Sequence, residues 1–340
     1  MQQIVDVILG NVEGLGLPIW ANAALFVVGF LLLIKGGDWF VDGAQSIAHR
    51  FGMPELLIGA TVVSIGTTLP EVMVSAQGAM AGNGSIAFGN AIGSIICNTA
   101  LIAAITLVVK PAKVDRKTFA LPTAAFFVAA AYYVATAYLM GEFSRLSGIT
   151  LLVMFVIYMV VTVLQMKRQS GALKPQAAPG RAKSQTDGST GKDVLMLVVG
   201  AVVIALGARQ LVGNTTILAR AVGVPDSVIA LTLVALGTSL PELVTAITAL
   251  AKGHGALSLG NIIGANLFNL VLVSGIATVI RPFDLSGASA TAMVVDVPLM
   301  LGVMLVLTLP ALARQKLYRW QGAALLAAYA AYCVFLFVGA

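Results

Sequence analysis

Two glutamates, Glu71 and Glu242, each stand within a long apolar stretch of the chain. If these stretches cross a membrane, each carboxylate costs roughly 2.5–3.5 kcal/mol on insertion scales, and ionisable residues at that depth generally serve a function. Neither glutamate has a lysine or arginine beside it, so the pair needs a cation or a proton. One Ca²⁺ or two Na⁺ would neutralise both carboxylates. The structural alternative is a protonated glutamate that hydrogen bonds to a neighbouring helix.

The segments that precede the glutamates predict a break in each helix. They read GTTLP at residues 66–70 and GTSLP at residues 237–241. Proline removes a hydrogen-bond donor and clashes with the carbonyl four residues back, and glycine lowers helix propensity. Unwound backbone at membrane depth is tolerated only where it is buried in protein or lines a water-filled cavity. Because free carbonyls and threonine hydroxyls are hard oxygen ligands, we expect cation ligands at both breaks.

A polar face follows each glutamate along the chain. Asn90, Ser94 and Asn98 are spaced four residues apart, which places them on one face of a helix. Asn261 and Asn269 return at the same spacing in the second half, with alanine in place of the serine. Asparagines also hydrogen bond between membrane helices, and this alternative stays open for Asn90 and Asn261. For Asn98 and Asn269 we expect an amide-oxygen ligand or a contact through water.

These features belong to an internal repeat. Residues 57–105 and 228–276 match without a gap, at a constant offset of 171 residues. Glu71 corresponds to Glu242, and Asn98 corresponds to Asn269. Generic apolar helices would share composition but not polar residues at fixed spacing, so the repeat governs the expected architecture. Inverted repeats with a binding site near the bilayer midplane are a recurring design of secondary transporters.

Composition and length predict the architecture that contains the repeat. The chain has 340 residues, is 59% hydrophobic and only 10% charged, and has a mean hydropathy of +0.97. A soluble domain averages about 25% charged residues. We predict an all-α integral membrane protein of ten transmembrane helices, arranged as two inverted five-helix repeats. The first repeat is residues 1–167, a cytoplasmic linker is residues 168–192, and the second, inverted repeat is residues 193–340. The apolar stretches centre near residues 30, 66, 98, 128, 156, 202, 238, 269, 300 and 328.

The positions of the basic residues predict the orientation. Alternate loops carry fifteen lysines and arginines on one side and three on the other, and positive residues favour cytoplasmic loops. Both termini are therefore expected outside the cytoplasm, in a multi-pass protein of the plasma (inner) membrane. The linker is polar and rich in Gly, Pro, Ser and Lys, which is typical of a tether. The net charge of +6 is explained by these loops, so we expect the lipid bilayer and no nucleic acid as a partner.

The two repeats resemble the α-repeats of the calcium/cation antiporter superfamily, whose sodium/calcium exchangers carry G-T-S-x-P-[ED] and G-S-N motifs. The resemblance covers both repeat regions and the ten-span layout. It implies Na⁺-driven Ca²⁺ antiport by alternating access, with four ion sites near the midplane. Na⁺ and Ca²⁺ are then transported ions, and no cofactor is expected.

The resemblance also implies ion-ligand roles, which fall on matching positions of the two motifs. The implied ligands are Glu71, Glu242, Thr67, Thr68, Thr238, Ser239, Ser94 and Asn98, with the carbonyls of Ser64 and Ala235 one turn before the motif threonines. Two positions depart from the pattern of some relatives. Asn269 stands where some relatives have aspartate, and Ala265 stands where some have serine. The first change makes the site symmetric, with Asn98 facing Asn269, and the second leaves one peripheral Na⁺ ligand in doubt.

Three alternatives to Na⁺-driven exchange remain at this point. H⁺ could replace Na⁺ as the driving ion, because the glutamates could carry protons, and divalent ions other than Ca²⁺ could be transported. A cation channel would need a continuous pore, whereas inverted repeats favour rocking about a fixed site. An intramembrane zinc enzyme would need a motif such as H-E-x-x-H, and neither His49 nor His254 belongs to one. We therefore expect a transporter and not an enzyme.

Overall fold

The protein is helical almost throughout the part of the chain that the computed structural model describes, which is residues 16–82, 84–170, 189–223, 235–285 and 292–339. The helices are α1 Ile19–Arg50, α2 Glu55–Thr67, α3 Leu69–Met80, α4 (residues 84–109), α5 Arg116–Met140, α6 Arg145–Ser170, α7 Thr190–Ala221, α8 Ala235–Thr238, α9 Leu240–Ala251, α10 Gly255–Ile280, α11 Met293–Arg314 and α12 Arg319–Gly339. Two short strands, β1 Glu142–Phe143 and β2 Phe283–Asp284, complete the described structure.

Many of these helices suit a membrane. Among the described residues, seven helices are long and apolar enough to cross a bilayer, namely α1, α4, α5, α6, α7, α10 and α11. The pair α2 and α3 bends by 45° and would add an eighth span if it crosses as one unit, and α9 is a shorter apolar helix. The all-α membrane architecture is therefore confirmed, whereas ten spans in two inverted repeats stay a prediction. The proposed linker, residues 168–192, lies largely outside the described residues.

The centre of the fold is the crossing of α2 and α10. An added Cβ atom at Gly260 would meet the backbone carbonyl of Leu56, and one at Gly264 would lie 2.6 Å from the Cα atom of Ala60. Glycines at membrane interfaces let two backbones approach closely. Gly260 and Gly264 therefore set α10 directly against α2, the helix that leads to Glu71.

The longest two helices, α1 and α7, pack against each other through glycines. A Cβ atom added to Gly43 would lie 2.6 Å from the backbone nitrogen of Leu197, and one added to Gly200 would lie 2.5 Å from that of Phe40. Gly29 and Gly207 form a similar close approach at the other end of the pair. Because these glycines let the two backbones come into contact, α1 and α7 form a tight antiparallel pair beside the remaining helices.

Two short backbone pairings join loops at the ends of the bundle. Strands β1 and β2 pair antiparallel, with Glu142 opposite Asp284. A single antiparallel bridge joins Lys113, which follows α4, to Lys316, which precedes α12. One pairing therefore carries two acidic side chains and the other carries two basic ones.

Candidate functional site

The predicted helix breaks are present in the structure. Helix α2 ends at Thr67 and α3 begins at Leu69, while α8 ends at Thr238 and α9 begins at Leu240. In both cases a proline occupies the first turn of the new helix, where its missing N–H is no loss. Glu71 and Glu242 fall in these first turns. The positive end of a helix dipole favours a carboxylate there.

Both glutamates are fully buried. Glu71 and Glu242 have 0% exposure, and none of their four carboxylate oxygens has a hydrogen-bond partner among the described residues. The two carboxylates lie close enough to interact electrostatically. A buried charge is stable only when it is paired or coordinates a metal ion. This arrangement therefore requires a cation between the carboxylates, or protons on them.

Two asparagines occupy irregular helical turns beside the glutamates. Asn98 and Asn269 lie in wide π-helical turns, Cys97–Ala103 and Asn269–Val273, a geometry often found at functional sites. Both side chains have 0% exposure, and neither amide group has a hydrogen-bond partner among the described residues. The turn that contains Asn98 packs on α9, and the turn that contains Asn269 packs on α3. Each asparagine turn thus lies against the helix of the glutamate from the other repeat.

The hydroxyls at the helix breaks complete this buried polar group. Thr68 and Ser239 are the residues between the broken helices, and both are buried with hydroxyls that have no partner in the described structure. Thr67 is also buried and lies beside the Glu242 carboxylate. Thr238 is half-buried at the end of α8. The hydroxyls therefore accompany the carboxylates and amides in one protein-enclosed region.

The other predicted ligands are placed less directly by the structure. Ser94 is buried on α4, one turn before Asn98. Ser64 is fully buried, and its hydroxyl reaches the carbonyl oxygens of Gly59 at 2.8 Å and Asn261 at 3.0 Å. Ala235 is the first described residue of α8. Ser64 and Ala235 were expected to contribute backbone carbonyls, and this remains a prediction.

Asn90 and Asn261 form hydrogen bonds within the protein. The Asn90 amide donates to the backbone carbonyl of Glu71 at 3.3 Å and to the Ser75 hydroxyl at 2.9 Å. The Asn261 side-chain oxygen accepts a hydrogen bond from Thr67 at 3.2 Å. Asn90 thus fixes the backbone of one central carboxylate, and Asn261 fixes a motif threonine. The hydrogen-bonding alternative left open for these two residues is the one that the structure shows.

A second polar contact near the site was missed by the sequence reasoning. The Asn266 amide donates to the Thr99 hydroxyl at 2.7 Å and lies 3.2 Å from the Met304 sulfur. All three side chains are buried, so they tie α10 to α11 and to the π-helical turn of α4 that contains Asn98. Asn266 has no polar counterpart in the first repeat, because the matching position is Ile95. Its presence in an apolar helix was the only available signal.

Comparison with known proteins shows the family to which the chain belongs. The model of the family described as "Sodium/calcium exchanger protein" matches residues 21–164 and 192–338, which include both glutamates and both asparagine turns. The chain belongs to the sodium/calcium exchanger family.

Relatives of this exchanger-family chain extend over most of its length. It is 35% identical to the "Putative antiporter CaxA" of Alkalimonas amylolytica, over 93% of this chain and 98% of that protein. It is 32% identical to the "Inner membrane protein YrbG" of Escherichia coli, over 77% and 81% of the two chains. It is 28% identical to the "Sodium/calcium exchanger MaX1" of Methanosarcina acetivorans, over 94% and 99%.

The fold agrees with a solved structure of the same family. The sodium-calcium exchanger NCX_Mj, soaked with 2.5 mM Na⁺ and 10 mM Sr²⁺, superposes with a TM-score of 0.74 at 31% sequence identity. The match covers 92% of this chain and 97% of that one. The chain is therefore a multi-pass membrane transporter of an exchanger family. Among the described residues, no group of three or more His, Cys, Asp and Glu side chains could hold a metal ion; the two glutamates are accompanied by amides and hydroxyls.

Proposed function

We propose that this chain exchanges Na⁺ for Ca²⁺ across the membrane by alternating access, and that the cations bind between Glu71 and Glu242. The observation that carries this proposal is the pair of fully buried carboxylates without a partner among the described residues. Ca²⁺ or two Na⁺ would supply the missing charge. Membership of the sodium/calcium exchanger family and the similarity to NCX_Mj support the choice of ions.

The donor set suits Ca²⁺. This ion takes six to eight oxygen ligands, including carboxylates, amide and backbone carbonyls. Glu71 and Glu242 offer four carboxylate oxygens, and Asn98 and Asn269 offer two amide oxygens, so these four side chains reach the lower limit. Further oxygens are available from hydroxyls and backbone carbonyls. We assign these additional ligand roles to Thr67, Thr68, Thr238, Ser239 and Ser94, and to the carbonyls of Ser64 and Ala235.

Charge neutralisation gives a physical reason for coupled exchange. Without a cation, two ionised carboxylates would have to change their access to water while carrying a charge of −2 through the apolar interior, which is costly. With Ca²⁺ or Na⁺ bound, the site is close to neutral and the same movement is cheap. Only the loaded protein then alternates between the two sides. Each Ca²⁺ that leaves must be replaced by Na⁺ before the site can return.

We further propose that the chain forms two inverted five-helix repeats, residues 1–167 and 193–340, joined by a cytoplasmic linker. The loop pairings support this arrangement, because Lys113 and Asp284 are separated by 171 residues, the offset of the repeat. Lys113 pairs with Lys316, and Asp284 pairs with Glu142. The basic pairing would face the cytoplasm. Both termini would then lie outside the cytoplasm, in the plasma (inner) membrane.

Protons are the second candidate for the driving ion, because two neighbouring carboxylates without partners can bind H⁺ as well as Na⁺. Uptake of radioactive ⁴⁵Ca²⁺ into proteoliposomes under imposed Na⁺, K⁺ or H⁺ gradients separates the two. We expect an outward Na⁺ gradient to drive uptake and the other gradients to fail. Uptake driven by an H⁺ gradient alone would mean that H⁺, and not Na⁺, is the coupling ion. Uptake that needs no cation on the opposite side would instead indicate a channel.

A further inference from the structure

A cluster of exposed cations lies where α4 ends and where α11 passes into α12. The members of this basic cluster are Lys110, Lys113, Arg314, Lys316 and Arg319. The Lys113–Lys316 backbone bridge joins the two loops, and the Arg319 guanidinium reaches the carbonyl of Val109 at 3.5 Å. Within the described ranges, none of the five forms a salt bridge. The single carboxylate of these loops, Asp115, caps the start of α5. These two loops therefore present a positively charged surface, and the backbone bridge between them fixes its shape.

An apolar groove opens beside the basic cluster. Its volume is about 360 Å³, and its lining consists of Leu309, Pro310, Ala313, Arg314, Tyr318 and Trp320. Trp320 is 57% exposed, and the Lys316 ammonium lies 5.2 Å from the centre of the Tyr318 ring. Tryptophan and tyrosine are enriched where the apolar core of a bilayer meets its headgroups. The groove therefore has an apolar floor, an aromatic edge of the kind found at headgroup depth, and a cation, Arg314, that belongs to both groove and cluster.

We propose that this groove and the basic cluster bind an anionic phospholipid, with an acyl chain along Leu309 and Ala313 and the phosphate between Arg314 and Lys316. Charge complementarity selects the headgroup, since basic pockets between membrane helices bind anionic lipid headgroups. The apolar lining selects a lipid over a soluble phosphate, because a soluble phosphate has no apolar part that could pack in the groove. A role in setting topology alone would require the charges but not the groove.

Trp320 provides a local reporter for this site. The chain has three tryptophans, so Trp20→Phe/Trp39→Phe leaves Trp320 as the single tryptophan, whose fluorescence can be excited selectively. The purified protein is reconstituted in mixtures of unlabelled phosphatidylcholine with either brominated phosphatidylglycerol or brominated phosphatidylcholine, and quenching of Trp320 gives the relative affinity. We expect stronger quenching by brominated phosphatidylglycerol. Each positive charge removed in Arg314→Gln/Lys316→Gln should lower the relative affinity for the anionic lipid roughly fivefold. The reason is that each Lys or Arg near an anionic surface contributes about 1 kcal/mol.

The matched control removes two charges elsewhere. Lys167→Gln/Arg168→Gln alters two exposed cations at the end of α6, outside the groove, and should leave the preference unchanged. Ala313→Phe keeps every charge but fills the groove, and should also lower quenching by the brominated anionic lipid. Equal quenching by the two brominated lipids would overturn the proposal. So would an equal loss in the control, which would assign the effect to net charge, or release of the lipid by millimolar inorganic phosphate.

Discussion

Replacing Glu242 by glutamine should raise the stability of the protein in the absence of Ca²⁺ and remove most of the stabilisation that Ca²⁺ provides. The side chain is fully buried and has no partner among the described residues. In buffer free of Na⁺ and Ca²⁺, Glu242→Gln removes a carboxylate that costs up to roughly 2.5–3.5 kcal/mol at membrane depth, so the variant should unfold at a higher temperature. Ca²⁺ at one hundred times its Kd should stabilise the unmodified protein by about 2.7 kcal/mol. The variant should gain little, because its site has lost half of its negative charge.

Thermal unfolding in detergent measures both effects. Each protein is melted in EDTA with choline as the only monovalent cation, and again across a Ca²⁺ titration. Glu142→Gln serves as the matched control, since Glu142 is exposed in β1 and its loss should leave the Ca²⁺ response intact. A Ca²⁺-dependent shift in Glu242→Gln as large as that of the unmodified protein would refute the reasoning. A Glu71→Gln variant should behave in the same way as Glu242→Gln.

Three further predictions concern selectivity, topology and packing. The four ion sites that the resemblance implies allow three Na⁺ to exchange for one Ca²⁺, which moves one net charge per cycle, so flux should respond to a valinomycin-clamped potential by roughly 2.3 kcal/mol per charge per 100 mV. With only two central carboxylates, flux should not require K⁺, and Asn269→Asp should change ion selectivity more than stability. Voltage-independent exchange would contradict three Na⁺ per Ca²⁺ and indicate two, and a strict need for K⁺ would contradict a site with only two carboxylates. A reporter fused after Ala340 and another inserted near Gly180 should report opposite sides of the membrane; matching sides would mean that the spans are miscounted. Gly260→Ala should destabilise the fold by about 1–3 kcal/mol, because its Cβ would meet backbone of α2, while Gly302→Ala, where no atom lies within 4 Å, should be tolerated in the same melting assay.

The sequence predicted the parts of the site that depend on local chemistry. Proline and glycine before each glutamate act within one or two turns of their own helix, so the breaks at Thr68 and Ser239 could be placed without a structure. The central carboxylates could be identified because a charge in an apolar stretch is costly wherever the helix packs. The gap-free repeat then paired Glu71 with Glu242.

Features that depend on packing between distant segments could not be predicted in this way. The π-helical turns at Asn98 and Asn269 have no glycine or proline of their own to mark them, and they arise where α4 and α10 meet α9 and α3. The Asn266–Thr99–Met304 contact joins three helices, and Asn266 breaks the symmetry on which the repeat argument rested. The bridge between Lys113 and Lys316 likewise joins loops that are about two hundred residues apart.

Sodium-driven uptake of ⁴⁵Ca²⁺ by the unmodified protein and by Glu71→Gln/Glu242→Gln tests the central claim most directly. Both proteins are reconstituted at equal density in vesicles loaded with Na⁺ and diluted into Na⁺-free medium. We predict uptake by the unmodified protein that disappears when internal Na⁺ is replaced by choline, and no uptake by the double variant under any gradient. Substantial Na⁺-driven uptake by a folded double variant would contradict the assignment of the two glutamates as the shared binding site.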